Sequence, residues 1–433
     1  MGFLDRLVAV ERDEIRPMLW AALYYFLLLA AYFVIRPIRD EMGVAGGVRN
    51  LPWLFLGTLI GMLLVHPLFT ALVSRVPRRI FIPASYTFFA LNLVSFWLLF
   101  QTVAGDSDIW AGRVFFVWTS VFNLFVVSIF WSLMADVFRP EQAKRLFGFV
   151  AVGGTVGAVF GSSITAFLAE RITPTNLLLA SASLLGLAML AAHQLIRTAP
   201  QHDEHGSPIS KSDSEQPVGG GVLDGIRTVF SSPYLLGIVG YMLLYTITAT
   251  FLYFQQAEII DANFSDRAAR TVFFARIDLA VNSLTAFIQI FLTGRIVRRI
   301  GVALALATLP LVCVVGFAAL GVAPTLMAIA VFQVLRRTSN YAIARPCREM
   351  LYTVLPRDAK YKAKNFIDTF VYRFGDQVGA WSYKALGAFG LGAAAISLVA
   401  LPLAAVWLGI GLWLGRRQKA LATSLSAPGT TPG

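Results

Sequence analysis

The chain has 433 residues, of which 57% are hydrophobic and only 14% charged, and its formal net charge is +12. Such a composition excludes an ordinary soluble domain and defines an all-α polytopic membrane protein. Most Lys and Arg fall in short stretches between apolar segments, where membrane orientation requires them, so no nucleic-acid partner is inferred.

The N-terminal stretch MGFLDRLVAVERDEIRP, residues 1–16 and Pro17, alternates acid and base and lacks the apolar core and cleavage site of a signal peptide. It reads as an interfacial amphipathic segment. A span needs about 20 apolar residues, and counting on that basis gives twelve transmembrane helices. The first half, 17–196, holds 17–42, 51–73, 80–103, 110–138, 146–169 and 176–196. Residues 197–231, rich in Pro, Gly, Ser and charge, read as a cytoplasmic linker. The second half, 232–415, holds 232–256, 269–294, 302–322, 324–350, 365–388 and 391–415, and 416–433 reads as a disordered tail.

Loop charge sets the orientation. With the N-terminus inside, Arg75, Arg78, Arg79, Arg139, Lys144, Arg145, Arg295, Arg298, Arg299, Arg357, Lys360, Lys362, Lys364 and Arg416–Arg417 are all cytoplasmic. The opposite loops keep few cations, among them Arg49, Arg113, Arg171, Arg267 and Arg270. Both termini are therefore expected in the cytoplasm. The halves also repeat: SRVPRR at 74–79 aligns with GRIVRR at 294–299, and Gly157–Ala158 aligns with Gly379–Ala380 at nearly the same shift. Two six-helix halves in parallel repeat resemble the layout of the major facilitator superfamily.

The intramembrane charges carry the functional reading, because each costs about 3 kcal/mol at bilayer depth even on lenient scales. The first helix ends YFVIRPIRDEMG. Either Pro37 bends a helix that continues through Arg36 and Arg39, or the helix stops at Ile35 and the charges snorkel. Asp136, near the end of the fourth helix, is expected to pair with Lys144 or Arg145 at a gate. Gly153, Gly157 and Gly161 recur every four residues in the fifth helix and predict close packing against a neighbour, not a phosphate loop. In the eighth, Asp278, Asn282, Thr285 and Gln289 form a stripe that either lines a cavity or bonds across helices.

The tenth helix, FQVLRRTSNYAIARPCREM, spaces Arg337, Arg345 and Arg348 on a cationic face that must look into protein. In the eleventh, Asp368, Tyr372, Gly375, Asp376 and Gly379 share a face, and Arg373 is three residues from Asp376. Cys313 and Cys347 both fall within spans and the four His are scattered, so neither a disulfide, a metal site nor a cofactor is indicated.

Several stretches resemble the ATP/ADP translocase (nucleotide transporter) family: IRPIRD at 35–40, SPYLL at 232–236, REMLYTVL at 348–355, and KAKNFID followed by RFGDQVG across 362–379. The resemblance implies a role for Arg39 as the first-helix basic residue. It also shows departures, since Asp376 follows Gly375 where the family carries Lys, and the acidic positions of the seventh and fourth helices fall at Tyr253 and near Thr119. These departures lead away from plain ATP-for-ADP exchange.

The expectation is a monomeric inner-membrane secondary transporter, not an enzyme, moving an anionic metabolite such as a nucleotide through a central cationic cavity. Arg36, Arg39, Arg337, Arg345, Arg348 and Arg373 would supply charge, with Asn282, Gln289, Tyr245 and Tyr253 against the less charged part. Asp136, Asp278, Asp368 and Asp376 would serve coupling or gating. Two other readings stay open: proton-coupled transport of a non-nucleotide solute, and a non-transporting membrane scaffold or sensor.

Overall fold

A computed structural model describes Glu11 and residues 14–75, 78–198 and 227–426. Most of the expected N-terminal segment, linker and extreme C-terminus lies outside these residues. The first helices are α1 (Ile15–Ala45), α2 (Leu51–Arg75), α3 (Arg78–Thr102), α4 (Asp106–Val137), α5 (Pro140–Leu168) and α6 (Leu177–Thr198). They are followed by α7 (Pro233–Asn263), α8 (Arg267–Phe291) and α9 (Thr293–Val322). Helix α10 runs through Leu326–Ser339, a π-helical turn at Asn340–Ala344 and Arg345–Leu351. Helix α11 likewise joins Arg357–Phe366, a π turn at Ile367–Val371 and Tyr372–Ala388. The last helix, α12, is Ala393–Ser426.

Among the described residues, ten helices are long and apolar enough to cross a membrane. The expected spans 324–350 and 365–388 are not in that set. Both are helical, but they hold the arginines and aspartates singled out above, and their apolar windows are correspondingly broken. The tail differs from expectation as well: α12 continues to Ser426 because the residues after Arg417, QKALATSLS, include several good helix formers.

Two compact units emerge: the described part of Met1–Gly206 with Ile260–Ala286, and the described part of Ser207–Ile259 with Phe287–Gly433. The sequence-based boundary would have kept 260–286 in the second half. The reason for the difference is polar: Arg267, Asp278 and Asn282 all find partners on helices of the first unit.

In the first unit α1 is the central helix. It runs unbroken past Pro37, and Ile35, Asp40 and Glu41 are all buried, so the alternative in which it stops at Ile35 is overturned. Helix α5 packs on it backbone to backbone. A Cβ added at Gly153, Gly157 or Gly161 would lie 2.5, 2.1 and 2.3 Å from the carbonyl oxygens of Ala22, Phe26 and Ala30. One turn on, the Thr165 hydroxyl donates to the Val34 carbonyl at 2.9 Å. Both rows advance by four residues, so the small residues track the facing ridge, as the glycine spacing predicts. From the other side, the Ser181 hydroxyl of α6 donates to the Ala31 carbonyl at 2.8 Å.

The second unit repeats this packing. Gly375 of α11 approaches Thr246 of α7, and Gly379 lies against Ile247, where an added Cβ would sit 3.1 Å from its Cα. The repeat aligns Gly157 with Gly379, and their partners Phe26 and Ile247 stand at almost the same shift. The internal duplication is thus written in equivalent helix contacts as well as in the basic loops.

Candidate functional site

The first unit pairs several of its buried charges internally. Arg36 Nη1 lies 3.0 Å from Asp278 Oδ1, and the Asp278 side chain is 2% exposed. The Arg39 guanidinium stacks 3.9 Å from the centre of the Phe116 ring and reaches Asp40 at 3.0 Å. Buried Glu41 receives Arg267 Nε on both oxygens, at 3.0 and 3.2 Å, while Arg267 Nη1 is 2.6 Å from Asp108. Burial of such charges is tolerable because each carboxylate meets a hydrogen-bonding cation.

At the opposite end of α1, Glu14 accepts Gln142 Nε2 and Arg145 Nη2, both at 2.9 Å. Burial acts to raise its pKa, but the hydrogen bonds from the Glu11 N–H and Gln142 and the charge of Arg145 outweigh that and hold the carboxyl below its ordinary range. Arg145 thus meets a carboxylate that the sequence did not suggest. Asp136 is exposed at the end of α4, and its expected pairing with Lys144 falls outside the described side chains.

Of the stripe on α8, Asn282 donates to the Ser162 hydroxyl at 3.2 Å. Gln289 serves the backbone of α10. Pro346 has no N–H to give, and the Tyr341 and Ala342 carbonyls that would have received a bond at that level accept Gln289 Nε2 at 3.1 Å and Thr293 Oγ1 at 2.8 Å instead. The two amides therefore bond between helices.

This proline-linked π turn reshapes the cationic face of α10. A π turn inserts an extra residue, so positions before and after it lose their common register. Arg337 is buried at 9% exposure, whereas Arg345 is exposed and Arg348 half-buried. Arg348 lies 5.0 Å from the centre of the Tyr245 ring and donates to Met242 Sδ. The Tyr245 hydroxyl accepts Asn340 Nδ2 at 3.0 Å, and the ring stands 6.1 Å from Tyr372. Asp368, exposed within the π turn of α11, lies in electrostatic range of Lys364, Glu349, Arg348 and Arg345. Two π turns on adjoining stretches of chain thus flank one cluster of Arg, Asp, Asn and Tyr. Farther along α11, Arg373 reaches Asp376 at 3.5 Å. Tyr253 stands two turns beyond Tyr245 on α7, with its ring near Phe254.

Some polar groups escaped the sequence reading. Buried Gln333 donates to Gln256, and the Tyr383 hydroxyl donates to Glu258 at 2.8 Å. Glu258 places a carboxylate on α7 five residues after Tyr253, the position at which the family alignment found none. The signal was present in the run FQQAEII, where three polar side chains interrupt an otherwise apolar helix.

Apolar helices in numbers, buried ion pairs between them and polar side chains along the helix interiors define a polytopic membrane protein, and its family is one of transporters, not enzymes. The chain belongs to the Major Facilitator Superfamily, whose sequence model matches residues 18–348. It is similar to ADP,ATP carrier protein 1 of Chlamydia trachomatis, with 21% identity covering 92% of this chain and 88% of that protein. It is also similar to the chloroplastic ADP,ATP carrier protein 1 of Arabidopsis thaliana, at 21% identity over 87% of this chain and 69% of the relative. The resemblance to nucleotide translocases is thereby borne out.

Among solved structures, a bacterial homologue of the human lysosomal transporter Spinster shares the fold at TM-score 0.59 and 14% identity, covering 94% of this chain and 99% of that one. A mutant form of the nucleoside transporter NupG does so at TM-score 0.58 and 12% identity, with the same coverage.

Proposed function

We propose that the protein is an inner-membrane secondary transporter, crossing twelve times with both termini in the cytoplasm, that moves an anionic metabolite by alternating access, with a nucleotide as the leading candidate. One observation carries the reading. Of the six arginines nominated from the sequence, Arg36, Arg39 and Arg373 each have a carboxylate within ion-pair distance, whereas Arg345 and Arg348 form no ion pair among the described residues. Their charge is available to a phosphate or carboxylate, which an arginine fork suits in geometry. Tyr245, held by Asn340 and beside Arg348, offers a ring to the less charged part of such a solute. The ADP,ATP carriers among the relatives, whose names concern nucleotides, favour the same solute class.

The test is uptake into proteoliposomes. Exchange of a nucleotide predicts that uptake rises when the same solute is loaded on the trans side and survives an uncoupler. A second reading, proton-coupled transport of another solute, is favoured by the carboxylates of Glu258, hydrogen-bonded to Tyr383, and Asp376, paired with Arg373. It predicts the reverse pattern, collapse with the uncoupler and no need for trans solute. If no nucleotide, phosphorylated metabolite or organic acid moves or raises the melting midpoint, the scaffold or sensor reading gains instead.

A further inference from the structure

Helix α9 is divided at Gly301, whose φ of +75° breaks the helical geometry and separates a short basic turn, TGRIVRRI, from the apolar body that follows. Gly415 of α12 brings a second basic segment beside it: a Cβ there would sit 2.1 Å from the Ala303 Cα, so only glycine permits this approach. The chain is basic on the outer side of this contact in both helices: Arg416, Arg417 and Lys419 follow Gly415, and Arg295, Arg298 and Arg299 precede Gly301. All six are exposed.

Membrane orientation alone asks for cations at such an end but not for their isolation from carboxylates. Several basic side chains elsewhere do meet a carboxylate, as in Arg145 with Glu14, Lys364 with Glu349 and Arg270 with Asp261. Here neither 293–305 nor 393–426 contains a single Asp or Glu. None of the six forms an ion pair among the described residues. Their mutual repulsion is uncompensated among the described residues, which points to an external anion. The neighbouring surface says which kind: Ile300, Leu304 and Trp413 are 38, 53 and 44% exposed beside the cations. Apolar surface and an interfacial Trp alongside a basic cluster fit acyl chains below a phosphate headgroup.

We propose that Arg295, Arg298, Arg299, Arg416, Arg417 and Lys419 form a binding surface for anionic phospholipid, holding headgroup phosphate while Ile300, Leu304 and Trp413 receive the chains. This surface is independent of the solute proposed above, and loss of transport would not bear on it.

The test uses the purified full-length protein, delipidated in neutral detergent and titrated with phosphatidylglycerol or phosphatidylcholine, with bound lipid counted by native mass spectrometry. Phosphatidylglycerol is expected to be retained preferentially, with the preference falling as salt is raised. Each cation removed should lower it about fivefold, so Arg299→Gln/Arg416→Gln/Arg417→Gln should lose about a hundredfold. A control variant, Arg49→Gln/Arg171→Gln/Arg197→Gln, should keep it. Equal binding of the two lipids, a preference insensitive to salt, or equal loss in the control would overturn the proposal. So would inorganic phosphate that raises the melting midpoint through these arginines while phosphatidylglycerol does not, since the surface would then serve a soluble anion. The wild-type salt titration decides the matter even if a variant fails to fold.

Discussion

Arg36 of α1 and Asp278 of α8 meet at 3.0 Å inside the first unit, with 2% of the Asp278 side chain exposed. Removing one partner of a buried pair strands the other charge, typically at a cost of about 3–5 kcal/mol, whereas removing both is milder. Arg36→Ala is therefore expected to lower the melting midpoint of the purified protein sharply, and Arg36→Ala/Asp278→Ala to recover part of the loss. A double variant as unstable as the summed single ones would show that the two side chains act separately.

The packing of α5 on α1 makes a second prediction. At Gly157 an added methyl would meet the Phe26 carbonyl at 2.1 Å, a backbone atom that cannot swing aside. Overpacking ordinarily costs about 1–3 kcal/mol, and Gly157→Ala should lie at or beyond the top of that range. Gly186, on α6, has nothing within 4 Å of an added Cβ. Gly186→Ala should leave the midpoint unchanged or slightly raised, the helix gaining propensity without strain. Similar behaviour of the two variants in a thermal scan would contradict the close approach.

Glu14 adds a pH dependence. Its carboxyl is held below the ordinary value of 4.5 by Gln142, Arg145 and the Glu11 N–H, against the upward push of burial. A depressed carboxyl stabilises the fold fully above its unfolded pKa and loses that contribution as pH falls through the folded one. The midpoint difference between wild type and Glu14→Gln should thus be constant from pH 7 to about 5 and shrink below about 4.5. A difference that widens on acidification would reverse the assignment.

Much of this was legible in the chain. The apolar runs gave the helices, and the four-residue spacing of Gly153, Gly157 and Gly161 gave their packing, because both depend on local periodicity. The neutralisation of Arg36 by Asp278 was hidden, since it joins residues far apart in sequence and α8 sides with the first unit. An ideal helix carries Arg337, Arg345 and Arg348 on one face, but the π turn at Asn340–Ala344 shifts the register between Arg337 and the other two. Pro346 was a visible warning. Glu258 is one carboxylate in a long apolar helix, and its partner Tyr383 lies 125 residues away in sequence, so no local pattern marks the pair.

Arg345 and Arg348 are proposed to hold the negative charge of the transported solute. The most direct measurement is the binding of radiolabelled ATP and ADP to the purified wild-type protein, compared with Arg345→Gln/Arg348→Gln and with Arg345→Lys/Arg348→Lys. Hydrogen bonds to charged groups contribute about 1.5–3 kcal/mol each, so the Gln pair should weaken binding by at least about a hundredfold, with the Lys pair partly restoring it. Saturable binding that is equally tight in all three proteins, each with an unchanged melting midpoint, would contradict the account.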